Sequence, residues 1–278
     1  MESKELGKTG VKIPVLGMGT WGIGGLSGRH IGGEDDAVRA LQYGLKLGMS
    51  FIDTAEMYGR GHSEEVVAMA FKDRRDEVFI ATKVSAEHLA HDDVLKACEA
   101  SLRRLETNYV DLYQVHWPNN RIPIAETMKA MERLVAERKV RYIGVSNFSV
   151  QQTREAQEAL SKASLVSNQV EYSLLERSIE ADLLPYAQKE HITIIAYTPV
   201  AKGQFAHGGR GERWRILDEV ALKYGKTRTQ VALNWLIVQE DVVAIPKAVS
   251  PEHIKENIDA TGWVLKREDI GVLNQAFV

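Results

Sequence analysis

Apolar residues fall along this chain in short continuous runs, separated by longer stretches with helical spacing. The runs VLGMG, SFID, VFIATKV, VDLYQV, YIGVS, LVSNQV, TIIAY and VVAI are rich in Val, Ile and Leu. They mostly lack the polar–apolar alternation of a half-exposed strand. Such runs suit strands covered on both faces, as in a parallel sheet flanked by helices. Between them, apolar residues recur at three- to four-residue intervals. This predicts helices from 34 to a stop at Gly48, over 63–71, 92–105, 124–137, 179–190, 214–224 and 229–240, and others after 149, from 250 and from 267. Residues 3–14 read as a short hairpin turning at 7–10. About eight βα units in one chain of 278 residues predict an α/β fold, a (β/α)8 TIM barrel with an N-terminal β-hairpin, as a single domain over 1–278. A doubly wound sheet is the runner-up.

A barrel of this type carries its chemistry at the C-terminal ends of its strands. The stretch FIDTAEMYGRGHSEE places Asp53 at one such end and Tyr58 in the loop beyond it. Ser63, followed by Glu64 and Glu65, reads as a capping hydroxyl before an acidic first turn. The next two strand ends supply Lys83 and His116. Singly, each has an ordinary structural explanation; as a set at adjacent strand ends they are far more specific. A buried ammonium needs a carboxylate partner, so Asp53 is expected to hold Lys83. The Lys83 charge should then lower the pKa of Tyr58 from about 10. His116 is placed to hydrogen-bond a substrate oxygen. The set can protonate an oxygen that is becoming an alkoxide, but it supplies no electrons, so carbonyl reduction needs a hydride cofactor.

Charge and composition narrow the partners. A formal net charge of −3 with no long basic block argues against nucleic acid or an anionic membrane surface. No apolar run approaches a membrane span and the start has no secretory pattern, so a cytoplasmic location is expected. Cys98 is the one cysteine, so no intramolecular disulfide forms, and its helical setting predicts a buried structural thiol. No interface stripe stands out, which makes a monomer the expectation. Three weaker signals are discounted. Gly17, Gly19 and Gly22 match a dinucleotide fingerprint without the prompt helix it requires. His88 and His91 lack a third ligand, so no metal is expected. Asn147-Phe148-Ser149 matches a glycosylation acceptor by accident.

FIDTAEMYG, the lysine of ATKV, QVHWP, GVSNF, NQVEYS, AYTPVAKG and IPKAVSPEHIKEN occur in this order, and over essentially its whole length the chain resembles an aldo-keto reductase. The resemblance implies an NAD(P)H-dependent reductase of aldehydes and ketones, with Tyr58 as proton donor in a tetrad with Asp53, Lys83 and His116. It implies that Ser146, Asn147 and Gln169 bind the nicotinamide carboxamide and that Tyr197 stacks on its ring. The loop over 201–211 would cross the pyrophosphate. Lys247, His253, Glu256 and Asn257 would line the adenosine end, where Ser250 and Pro251 suit a helix start. Position 248 is Ala where a hydroxyl is common, and 253 is His where many relatives have Arg. A largely neutral imidazole holds a 2′-phosphate less firmly than a guanidinium, so NADH is expected beside NADPH. Trp21, Trp117 and Tyr58 should wall the substrate pocket, with Phe148 contributing, and no long C-terminal loop is evident to narrow it. Two other readings compete: a barrel lyase forming a Schiff base through Lys83, and a catalytically weak, cofactor-binding redox sensor.

Overall fold

The computed structural model describes residues 1–25 and 28–278. Eight parallel strands follow one another around a sheet in chain order: β3 (Met18–Gly19), β4 (Phe51–Asp53), β5 (Phe79–Val84), β6 (Val110–Val115), β7 (Val140–Ser146), β8 (Leu165–Glu171), β9 (Thr193–Tyr197) and β10 (Val242–Ala244). The sheet closes through a parallel bridge between Leu16 and Ala244, supported by Gly17 N–H donating to the Ala244 carbonyl at 2.8 Å. Closure makes the predicted (β/α)8 barrel. The continuous apolar runs are explained directly, since β6 is buried at every position and β8 at all but its last.

The short hairpin β1 (Ser3–Glu5) and β2 (Lys12–Pro14) covers the N-terminal end of the barrel. Leu6 and Ile13 are fully buried and pack with Phe51, Ala81, Leu112, Val166, Ile195 and Val243 in the barrel interior. Gly7 N–H donates to the Thr193 hydroxyl at 2.8 Å, and Lys4 Nζ reaches the carbonyls of Ile237, Gln239 and Val242. Above this apolar plug the interior turns polar, and the site begins there.

Helices α1 (Glu34–Lys46), α2 (His62–Phe71), α3 (His91–Arg104), α4 (Ile124–Ala136), α5 (Val150–Ala159), α6 (Leu183–Glu190), α7 (Gln204–His207), α8 (Glu212–Tyr224), α9 (Arg228–Ile237), α10 (Pro251–Ile258) and α11 (Arg267–Ala276) surround the sheet. Two details differ from the sequence reading. The helix expected over 179–190 is a 3₁₀ turn (Ser178–Ala181), then α6, broken at Asp182. Pro185 has no N–H to donate, which suits the first turn of a new helix rather than the interior of a longer one. The glycine-bearing loop over 203–211 contains α7. Gly17 and Gly19 are packing glycines: a Cβ on Gly17 would lie 2.6 Å from the Phe51 ring, and one on Gly19 would lie 2.7 Å from the Ile245 carbonyl oxygen. Cys98 is buried as expected, and burial pushes its thiol up to about 12.

Candidate active site

The polar layer of the barrel centres on Asp53 and Lys83, which are 1% and 0% exposed. β4 ends at Asp53 and β5 runs beside it, so the two side chains enter the interior from adjacent strands. Lys83 Nζ donates to Asp53 Oδ1 at 2.5 Å and to the Thr54 carbonyl at 2.9 Å. It also lies 3.5 Å from the Tyr58 hydroxyl. His116, just beyond β6, meets the Tyr58 ring edge-on at a centroid distance of 5.6 Å. The four residues predicted from strand-end spacing are thus one cluster.

The chain reaches Tyr58 through a tight turn of unusual backbone. Gly59, Arg60 and Gly61 take φ of 56°, 54° and 89° before α2 begins. A Cβ on Gly59 would fall 2.3 Å from the Gly24 carbonyl oxygen, so this glycine is what lets the loop carrying Trp21 lie against the tyrosine turn. Ser63 is not a cap. It lies inside the first turn of α2, buried, and donates to Thr20 Oγ1 at 2.9 Å while Thr54 Oγ1 donates to it at 3.1 Å. Glu64 also turns inward, accepting from the Thr82 hydroxyl at 2.5 Å and from Arg104 Nε at 2.6 Å.

A cleft of about 600 Å³ opens above the tetrad and runs to the start of α10. Asp53, Tyr58, His116, Ser146, Asn147, Gln169, Tyr197, Lys247, His253, Glu256, Asn257, Trp21 and Trp117 all line it. Of the residues singled out in the sequence, Lys83 lies beneath the surface and Phe148 belongs to the core. Phe148 is 3% exposed and borders a separate small cavity with Val115 and Met128, so its proposed share in the substrate wall is withdrawn. Met57, adjacent to Tyr58 and exposed, joins Trp21 and Trp117 on the rim. Glu171, Lys202, His207 and Thr229 line the cleft as well. Sequence reasoning passed over these, although Met57 is in the turn it had singled out.

The polar groups around the cleft are mutually fixed. Asn147 has a left-handed φ of 61°, and its Nδ2 donates to the His116 carbonyl and to Ser146 Oγ, both at 3.0 Å. Its Oδ1 accepts from the Tyr197 hydroxyl at 3.0 Å, which fixes that ring at the cleft wall. Asn168, one residue before Gln169, donates to the Phe148 carbonyl at 2.9 Å and holds the same loop from behind. At the far end, Ser250 Oγ accepts from His253 N–H at 3.2 Å with Pro251 at the first helical position, as the sequence predicted. Amides, a fixed aromatic face, and a lysine beside a helix start within one cleft fit a nicotinamide dinucleotide.

The family model described as the aldo/keto reductase family matches residues 15–277. The chain belongs to the aldo/keto reductase family. Methylglyoxal reductase YeaE of Escherichia coli is 36% identical over 267 residues, covering 96% of this chain and 92% of its own. The thermostable aldo-keto reductase Tm1743, solved with the inhibitor epalrestat, superposes with a TM-score of 0.95 at 43% identity, covering 99% of this chain and 100% of its own. An aldo-keto reductase of Klebsiella pneumoniae solved with NADPH gives 0.88 at 38% identity, with 100% and 96% coverage. The protein is an NAD(P)H-dependent oxidoreductase that reduces aldehydes and ketones.

Burial governs the electrostatics of the reductase. Burial opposes the Lys83 charge, but the Asp53 carboxylate and the Tyr58 phenol outweigh it and hold the ammonium above its ordinary value. Burial raises Tyr58, and the opposing pull of Lys83 does not overcome it. The expectation that Lys83 would bring Tyr58 below its ordinary value is therefore corrected: its ammonium limits the rise rather than reversing it. Burial first, then Lys83, pulls His116 down to about 3. His116 Nδ1 is sealed from solvent and has no partner among the described residues.

Proposed function

We propose that this reductase transfers hydride from NADPH to small aldehydes and ketones, 2-oxoaldehydes such as methylglyoxal among them, with Tyr58 as the proton donor. The observation that carries the assignment is the chain of contacts from Asp53 through Lys83 to the Tyr58 hydroxyl, at 2.5 and 3.5 Å, at the floor of the cleft. Burial keeps the phenol protonated at neutral pH, so it is an acid before reaction. When it gives up its proton, the tyrosinate faces an ammonium already in place. His116 is neutral and carries one N–H. Because Nδ1 is sealed off, the proton belongs on Nε2, which is free to donate to the substrate oxygen. The bound dinucleotide supplies the hydride.

Ser146, Asn147, Gln169 and Tyr197 would hold the nicotinamide end, and Lys247, His253, Glu256 and Asn257 the adenosine end. The loop beginning at Ala201, with φ values of 46°, 54° and 85° at Ala201, Lys202 and Gly203, would cross the pyrophosphate. The imidazole of His253, with Ala248 nearby in place of a hydroxyl, supports use of NADH beside NADPH. Trp21, Met57 and Trp117 form an apolar rim with few polar anchors, which favours a broad range of small substrates. The reading includes a cytoplasmic monomer. A Schiff-base role for Lys83 is opposed by its burial below the cleft and its raised pKa, since an amine nucleophile must be neutral.

Replacing Tyr58 by Phe tests the assignment. Reduction of methylglyoxal should fall by roughly 10²–10⁴-fold, while NADPH binding, followed by tryptophan fluorescence, stays near that of the parent. Substantial residual turnover in Tyr58→Phe would remove Tyr58 from its role. Binding without turnover in the unsubstituted protein would favour the sensor reading.

A further inference from the structure

Three buried hydroxyls lie in a row behind the part of the cleft that Trp21 and Tyr58 share. Thr54 Oγ1 donates to Ser63 Oγ at 3.1 Å, Ser63 Oγ donates to Thr20 Oγ1 at 2.9 Å, and Thr20 Oγ1 donates to the Asp53 carbonyl at 2.9 Å. Each hydroxyl has one proton, so the row runs in one direction, with Ser63 as its middle link. The three residues come from different elements. Thr20 follows β3, Thr54 follows β4, and Ser63 lies in the first turn of α2.

Thr20 opens the turn that carries Trp21. Ile23 N–H donates to the Thr20 carbonyl at 2.9 Å, closing a turn with Trp21 and Gly22 at its centre. Gly22 has a φ of 87°, the positive value that the third position of a type II turn requires. Trp21 itself stands 55% exposed at the cleft rim, so its place is set by this turn more than by packing of its own ring. The loop that follows rests on α2, where a Cβ on Gly24 would fall 3.0 Å from Ser63 N. Among the described residues, Ser63 is the one member of α2 that hydrogen-bonds the Trp21 turn.

We propose that Ser63 is a positioning residue for the carbonyl substrate: its hydroxyl ties the turn carrying Trp21 to the helix that follows Tyr58, and so sets the width of the substrate end of the cleft. This rests on the reading that Trp21 walls that end. Ser63 is sealed from the cleft and touches neither substrate nor cofactor. It acts through Thr20, so its effect falls on substrate binding rather than on hydride or proton transfer.

Steady-state reduction of benzaldehyde at saturating NADPH, or of methylglyoxal if the larger aldehyde is not turned over, tests it in a double-substitution cycle of Ser63→Ala and Trp21→Ala. In the parent background, Ser63→Ala should raise KM roughly fivefold, the scale of one lost buried hydrogen bond, while kcat and the NADPH Kd read by tryptophan fluorescence stay within about twofold. In the Trp21→Ala background the wall is already gone, so adding Ser63→Ala should move KM less than about twofold. Ser63→Cys fills the same place with a weak hydrogen-bonding group and should behave as Ser63→Ala does; it also serves if the alanine variant fails to fold. A parent-like KM in Ser63→Cys would show that Ser63 only packs. A fall in kcat at unchanged KM, equal rises in KM in both backgrounds, or no rise in the parent overturns the proposal. If Trp21→Ala alone leaves KM unchanged, Trp21 is not the wall, and the reading beneath this inference fails with it.

Discussion

His116 is 7% exposed at the end of β6, and its imidazole stays neutral well below the pH at which a free histidine charges. The unfolded chain binds a proton there near pH 6.5 and the folded chain near pH 3. Stability from this group is therefore fully present above about pH 6.5 and is lost as pH falls toward 3. His116→Gln should shrink the loss of Tm between pH 7 and pH 5, measured by circular dichroism; an unchanged difference would show that His116 does not contribute. Tyr58 teaches the same lesson from the other direction. The residue types and their charges were legible in the sequence, and with them the partners Asp53, Lys83 and His116. Burial was not, because it depends on how loops from β3 and β4 meet. Burial is what raises the Tyr58 phenol that charge alone was expected to lower.

The start of α2 shows where pattern and packing part. Ser-Glu-Glu has the composition of a capped helix start, yet α2 begins at His62, with Gly61 in a left-handed conformation before it. Ser63 is drawn to Thr20 and Thr54, and Glu64 to Arg104 and Thr82, because the tyrosine turn must be fastened to its neighbours. Arg104 also fills the space beside Gly61, where a Cβ would lie 2.5 Å from its Cδ. The buried pair Glu64–Arg104 thus braces the turn that presents Tyr58. Glu64→Gln leaves the guanidinium without its carboxylate. We expect a loss of about 3 kcal/mol in urea unfolding, toward the low end for a broken buried pair because Arg104 keeps some access to water. Carbonyl reduction should slow while NADPH affinity holds. Unfolding that matches the parent would mean the pair is not a brace. Ser250 does cap α10 as the sequence predicted, and Ser149, which the sequence reading does not single out as a cap, caps α5 by accepting from Gln152 N–H.

Across the whole molecule the barrel separates what holds it together from what it does. Its strands and their order were legible because each is a continuous apolar run, and the cleft followed because strand ends share one mouth. The contact of Gln114 and Gln169 with Asp53 was not legible, since it joins residues 61 and 116 positions from Asp53. The opposite end is closed by the hairpin, with Leu6 fully buried against the apolar interior. Between this plug and the cleft lies the polar layer of Asp53, Lys83 and the two glutamines, while the apolar cluster itself reaches the cleft wall at Ile245 and Tyr197. Leu6→Ala would open a cavity at the base and should destabilise the fold by about 2–5 kcal/mol. NADPH affinity and the kcat for methylglyoxal, measured well below the lowered Tm, should remain within about twofold of the parent, since the cavity removes contacts only from the N-terminal face. A fall in affinity that tracks the fall in stability would mean that the plug and the cleft are one cooperative unit, and that the polar layer transmits strain rather than insulating the site from it.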